Sequence, residues 1–154
     1  MKATLLLAGA FLALAGPAIA AQNQAVIETP DQMKWQDASQ FGKGVQSTVL
    51  YGDPSKDGPY ATRLKLPADT LVPGHSHPKA ENVTVISGSL GLGLGEQADK
   101  SKGKLLPAGS FFRIHADTPH FAWAEGETVV QINGMGPAAI KLVEPATGSS
   151  SPSK

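Results

Sequence analysis

No stretch of this chain beyond residue 25 sustains a 3.6-residue apolar period over ten or more positions, and that directs the fold towards β-structure. The apolar residues alternate instead over short runs that Gly and Pro cut off. Residues 47–51 are rich in β-formers and stop at Gly52-Asp53-Pro54; residues 60–66 alternate and stop at Pro67. Residues 81–87 alternate through Val83 and Val85 and stop at Gly88-Ser89. Leu90, Leu92 and Leu94 then alternate with Gly91, Gly93 and Gly95. One face of that strand is apolar and the other bare, which suits close approach of another backbone or a sharply curved sheet. Further strands are expected at 110–114, 121–124, 128–133 and 140–143, and the best helical candidate, 31–36, is a turn or two at most. Eight or more short antiparallel strands, punctuated by 17 Gly and 12 Pro, read as an all-β sandwich or barrel.

Composition removes several function classes. Thirteen basic residues balance 13 acidic ones, so no net charge draws the chain to nucleic acid or an anionic membrane. An aromatic content of 6% argues against a stacking platform for single strands. The absence of Cys excludes a disulfide framework, thiolate ligation of metals and cysteine catalysis. A hydrophobic fraction of 41% over this length provides for one core of its own.

The two ends read as lying outside that core. Lys2, an apolar run over 3–15, the break at Gly16-Pro17 and the small-x-small triplet Ala18-Ile19-Ala20 have the form of a signal peptide. Cleavage is expected after Ala20, with the bacterial periplasm as destination. The run is shorter than the roughly 20 residues of a spanning helix, so no stable membrane anchor is expected. Residues 145–154 contain no apolar side chain larger than Ala and read as a flexible tail. The chain thus divides into a leader at 1–20, one domain at 21–144 and a tail at 145–154.

All four histidines fall inside the β region, at His75, His77, His115 and His120. His75 and His77 are two apart, so on an extended strand both imidazoles project from one face and can converge on one ion. Pro78 interrupts the strand, and a turn over 78–80 can return Glu81 to the same interior on the next strand. Two neutral imidazoles and a carboxylate suit a borderline or hard divalent cation. His115, across the Asp117-Thr118-Pro119 turn from His120, reads as a surface histidine. Tyr60, Arg63 and Gln131 are candidates for the mouth of the barrel, where ligands usually bind. Arg63 also fits an exposed strand position.

His75-x-His77-x3-Glu81-x6-Gly88 resembles the first signature of the cupin superfamily. Pro107-Ala108-Gly109, followed by Pro119-His120, resembles the second. The likeness extends to single-domain secreted cupins and to the cupin lobe of zinc-binding anti-sigma factors. It implies a small jelly-roll β-barrel with one divalent metal ion held by His75, His77, Glu81 and His120. Two positions depart from the family pattern. Asp69 stands where the first signature begins with Gly, and Trp123 where the second often carries Asn. The second departure makes Trp123 a candidate apolar wall of the pocket.

The resemblance implies an exported mononuclear-metal cupin acting on a small oxygen-bearing organic molecule, as an oxygenase or isomerase. Glu81 would be the ligand able to act as base. Fe, Mn, Zn, Ni and Cu all accept this ligand set. A metal- and ligand-binding sensor is the alternative, and a structural metal site in a homodimer formed at the barrel edge is a third reading.

Overall fold

The computed structural model describes residues 25–143, so the leader read at 1–20 and the tail read at 145–154 lie outside the described residues. Eleven strands follow in chain order among them. They are β1 (Gln36–Asp37), β2 (Gln46–Tyr51), β3 (Gly58–Leu66), β4 (Leu71–Ser76), β5 (Glu81–Ser87) and β6 (Ser89–Leu94). Then come β7 (Lys104–Pro107), β8 (Phe111–Ile114), β9 (His120–Ala124), β10 (Thr128–Gly136) and β11 (Lys141–Leu142). Single 3-10 turns occur at Ser39–Phe41 and Lys100–Lys102. The strands form two sheets, ordered β1-β2-β3-β10-β5-β8 and β11-β4-β9-β6-β7, every pairing antiparallel. This is the all-β jelly-roll barrel expected from the sequence.

The helical candidate at 31–36 does not form. Residues 30–32 make a turn closed by Thr29, whose carbonyl accepts from Gln32 N at 3.0 Å and whose amide donates to Gln32 Oε1 at 3.1 Å. A segment this short cannot offset helix nucleation alone, and Trp35 lies instead under the Lys65 ammonium at 4.4 Å. Strands β4 and β7 carry no clean alternation in sequence. In β4, Pro73 and Gly74 sit where the pairing with β9 shifts register, which spares the ladder a missing donor.

Strand parity sorts the core. Leu64 and Leu66 of β3, Val83 and Val85 of β5, Leu90 of β6 and Val130 of β10 all turn inward, joined by Val72 of β4 and Val45. The Leu–Gly alternation of β6 has a specific cause. Leu90 and Leu92 line the interior, while Gly91 and Gly93 face the rings of their partners on β9, Trp123 and Phe121. A Cβ on Gly91 would run into the Trp123 indole, and one on Gly93 into the Phe121 ring. The bare face is thus filled by two aromatic rings stacked at 6.0 Å rather than by another backbone.

Asp69 explains its own departure from the signature. Its φ is 62°, in the left-handed region that favours Gly, and Asp is among the few side chains that enter it readily. Its amide donates to Ala124 O at 3.0 Å, which clips the turn to the end of β9.

Two substitutions test these packing arguments by thermal unfolding. Gly91→Ala should lower Tm by several degrees, corresponding to about 1–3 kcal/mol of overpacking against Trp123. Asp69→Gly should leave Tm nearly unchanged, whereas Asp69→Val should cost about 1–2 kcal/mol because a β-branched residue resists that conformation.

Candidate metal centre

The fold brings together three histidines that lie on different parts of the chain. His75 near the end of β4 and His120 at the start of β9 are directly opposed across the antiparallel ladder, with ring centroids 4.1 Å apart. His77 stands one residue past β4, on the segment that crosses to the other sheet. Its ring centroid lies 5.0 Å from that of His75 and 5.3 Å from that of His120. The turn over 78–80 then places Glu81 at the head of β5. Its Oε1 is 3.6 Å from Nε2 of His77 and 3.6 Å from Nε2 of His120.

Each imidazole is oriented by its other nitrogen. Nδ1 of His75 bonds Pro73 O at 2.7 Å, Nδ1 of His77 bonds Ala139 O at 2.8 Å, and Nδ1 of His120 bonds Thr118 O at 2.9 Å. A carbonyl only accepts, so in all three rings Nδ1 carries the proton and, in the neutral form, Nε2 carries a lone pair. His77 is held a second time, because its own carbonyl accepts from Asp117 N at 2.7 Å. The ligand atoms offered by the three rings lie within 4.8 Å of one another.

The electrostatics of this cluster call for a cation. Burial drives the His75 imidazole down to about 4, against the bond to Pro73 and with the help of the neighbouring His120 and His77, so it is neutral at pH 7. Burial pushes the Glu81 carboxyl up, but the contact with His120 and the positive charge that the three imidazoles can carry outweigh it. The net shift is downward, and Glu81 is ionised. Nε2 of His77 is buried with no hydrogen-bond partner among the described residues. The Glu81 carboxylate and the unpartnered Nε2 of His77 thus converge with the other two rings on one point, an arrangement that a cation at the centre would satisfy. Three nitrogens and one carboxylate fit a divalent transition metal, and each ring has the carbonyl partner that orients a metal-bound imidazole.

Three cavities meet at these donors, one of them a cleft of only about 10 Å³ that Lys79 also lines. An inner one of about 70 Å³ is walled by aliphatic side chains including Leu66, Val72, Val83 and Leu90. An outer vestibule of about 330 Å³ is lined by Phe41, Val49, Tyr60, Thr62, Ile132 and the segment 138–140, among others. His77 and Glu81 border all three. Tyr60, expected at the mouth, is in the vestibule wall. Burial, then the nearby Glu81 carboxylate, raises its phenol, so it stays protonated and can donate.

The other three expected pocket residues lie elsewhere. Arg63 and Gln131 are opposed on β3 and β10, with Arg63 Nε donating to Gln131 Oε1 at 3.1 Å. They are on the outer face of the six-stranded sheet, because the inward parity of those strands belongs to Leu64, Val130 and Ile132. Trp123 is on the outer face of the five-stranded sheet, over Gly91, with Lys100 Nζ 5.8 Å from its ring. Ala122 and His120 take the inward positions of β9. His115 is exposed, in the turn after β8. Of the wall residues not anticipated, Thr62 and Ile132 share inward parity with Tyr60 and Val130 and were accessible to that argument. Ala139, which both lines the vestibule and orients His77, had no sequence signal.

Comparison with known proteins places this architecture. Residues 8–139 match the model of a family described as "Domain of unknown function (DUF4437)". No curated protein matches the chain in sequence. Among solved structures, the polyketide cyclase RemF from Streptomyces resistomycificus is similar at a TM-score of 0.65 and 17% identity, covering 80% of this chain and 89% of that one. A putative acetylacetone dioxygenase from Methylibium petroleiphilum gives 0.62 and 16%, over 83% and 87%. An RmlC-like cupin from Shewanella frigidimarina gives 0.58 and 15%, over 73% and 91%. With its sheet order, its signatures and this family match, the chain belongs to the DUF4437 family and has the cupin fold.

Proposed function

We propose that this cupin is an exported mononuclear-metal enzyme acting on a small oxygen-bearing organic substrate. The observation that carries the reading is the buried, unpartnered Nε2 of His77, aimed into a cluster of donors beside an open vestibule. A site built only for stability would be closed by protein ligands, whereas this one borders a cavity large enough for a substrate. The fold is one shared by structures named as a polyketide cyclase and a putative dioxygenase.

In this proposal Nε2 of His75, His77 and His120 and the Glu81 carboxylate hold one divalent ion of Fe, Mn, Zn, Ni or Cu. The ion supplies Lewis acidity towards substrate oxygens and, where redox-active, a means of using dioxygen. The protein's part is positional and protolytic. The carbonyls of Pro73, Thr118 and Ala139 lock the three rings in the tautomer that points Nε2 inward. Glu81, ionised and at the border of both the inner cavity and the vestibule, is the group placed to take a proton from a bound enol, phenol or hydroxyl. The Tyr60 hydroxyl remains protonated at the vestibule wall as a neutral donor to a substrate oxygen. The aliphatic side chains of the inner cavity make the surroundings of the reacting face apolar. Export belongs to the same proposal and rests on the signal-peptide form of residues 1–20, with the mature chain starting at Ala21 in the periplasm.

Elemental analysis of protein recovered from the periplasm tests the centre, together with sequencing of its N-terminus. The expected result is about one equivalent of a single transition metal in the wild type, reduced at least about tenfold in both His77→Ala and Glu81→Ala. Chelation should lower Tm, with recovery on adding the metal back. Folded protein that neither carries nor takes up metal would overturn the reading.

A further inference from the structure

The chemistry of the vestibule narrows the substrate class, an inference that rests on the metal reading just given. Apart from the donors His77 and Glu81, the vestibule wall carries no Lys, Arg, Asp or Glu. Its polar groups are the neutral side chains of Gln40, Ser47, Tyr60 and Thr62 and the backbone. An anionic group on a ligand, other than one bound at the metal itself, would be desolvated here with no Lys or Arg side chain in the wall to face it. The cations nearest in the fold do not serve. Lys79 lines a separate cleft of about 10 Å³ beside His77 and Glu81, with its ammonium turned to Gly136 O and Asp57, and Arg63 and Arg113 are on the outer face of the sheet, bonded to Gln131 and Asn82.

Size divides the ligand between the two chambers. The inner cavity of about 70 Å³ is well below the roughly 150 Å³ of an apolar cavity that takes benzene, so it accepts a short alkyl group and no ring. The vestibule of about 330 Å³ has the volume for a ring or an alkyl chain, against Phe41, Val49, Ile132 and Ile140. We infer that the substrate is a neutral, apolar-bodied molecule whose chelating oxygens gather at the donor cluster, of the class of enolisable diketones, hydroxyketones and phenols. Carboxylate-bearing and phosphorylated metabolites are selected against.

Hydroxamic acids separate head from tail, because one chelating head can carry different tails. The mature protein, loaded with Co(II), would be titrated with acetohydroxamic acid, hexanohydroxamic acid and the monohydroxamic acid of adipic acid. The last has the same six-carbon chain ending in a carboxylate. The change in cobalt absorption gives each Kd without requiring turnover. The hexano probe should bind at least about tenfold more tightly than the aceto probe, through burial of its chain. The carboxylate-ended probe should bind at least about tenfold more weakly than the hexano probe. Val49 lines the vestibule and is half exposed, so Val49→Lys should fold. It should close most of the gap between the two long probes. Equal or tighter binding of the carboxylate-ended probe to the wild type would overturn the inference, as would cobalt-loaded protein that no hydroxamate perturbs. Failure to bind cobalt at all would bring down the metal reading itself, and is seen before any probe is added.

Discussion

Three backbone carbonyls govern this site. By accepting Nδ1–H from His75, His77 and His120, the carbonyls of Pro73, Ala139 and Thr118 turn three Nε2 lone pairs towards one point. Two of those carbonyls belong to residues two before their histidine, so the local chain sets the ring. The third comes from 62 residues away and is available only because the chain after β10 folds back past the vestibule. The centre is therefore as much a product of main-chain hydrogen bonding as of ligand identity, and its cost in unshared lone pairs is what a bound cation would relieve.

The barrel supplies what a single sheet could not. His75 and His120 are neighbours on one sheet, and Glu81 opens a strand of the other. A donor set drawn from both sheets must lie between them, in the interior, where burial keeps His75 neutral. The aliphatic side chains that make the core also wall the inner cavity. Stability and ligand selection consequently draw on the same residues, with Leu64 and Ile132 bordering both chambers.

The sheets' outer faces show why residue type alone misleads about position. Trp123 is large, apolar and close in sequence to His120, yet it points away from the site because three residues along a strand reverse the side. It fills the space that Gly91 leaves open. Arg63 and Gln131 satisfy each other across β3 and β10 on the solvent side. Parity, applied strictly from the buried Leu64, Val130 and His120, would have assigned all three correctly.

The sequence by itself determined the β class, the strands around 47–51, 60–66, 81–87 and 90–94, and the candidate donors, because alternation, turn residues and histidine spacing are local properties. It also marked Asp69 as anomalous, and the left-handed φ there supplies the reason. Only the tertiary structure decided that β4 is a strand despite Pro73 and Gly74, since its hydrogen-bond partners β9 and β11 are remote in sequence. It likewise decided which rings cover Gly91 and Gly93, that Ala139 orients His77, and that the vestibule holds no counter-charge. Each of these depends on which distant segments become neighbours when two sheets close on one another. Burial and long-range pairing settle that, and neither is written in any local run of residues.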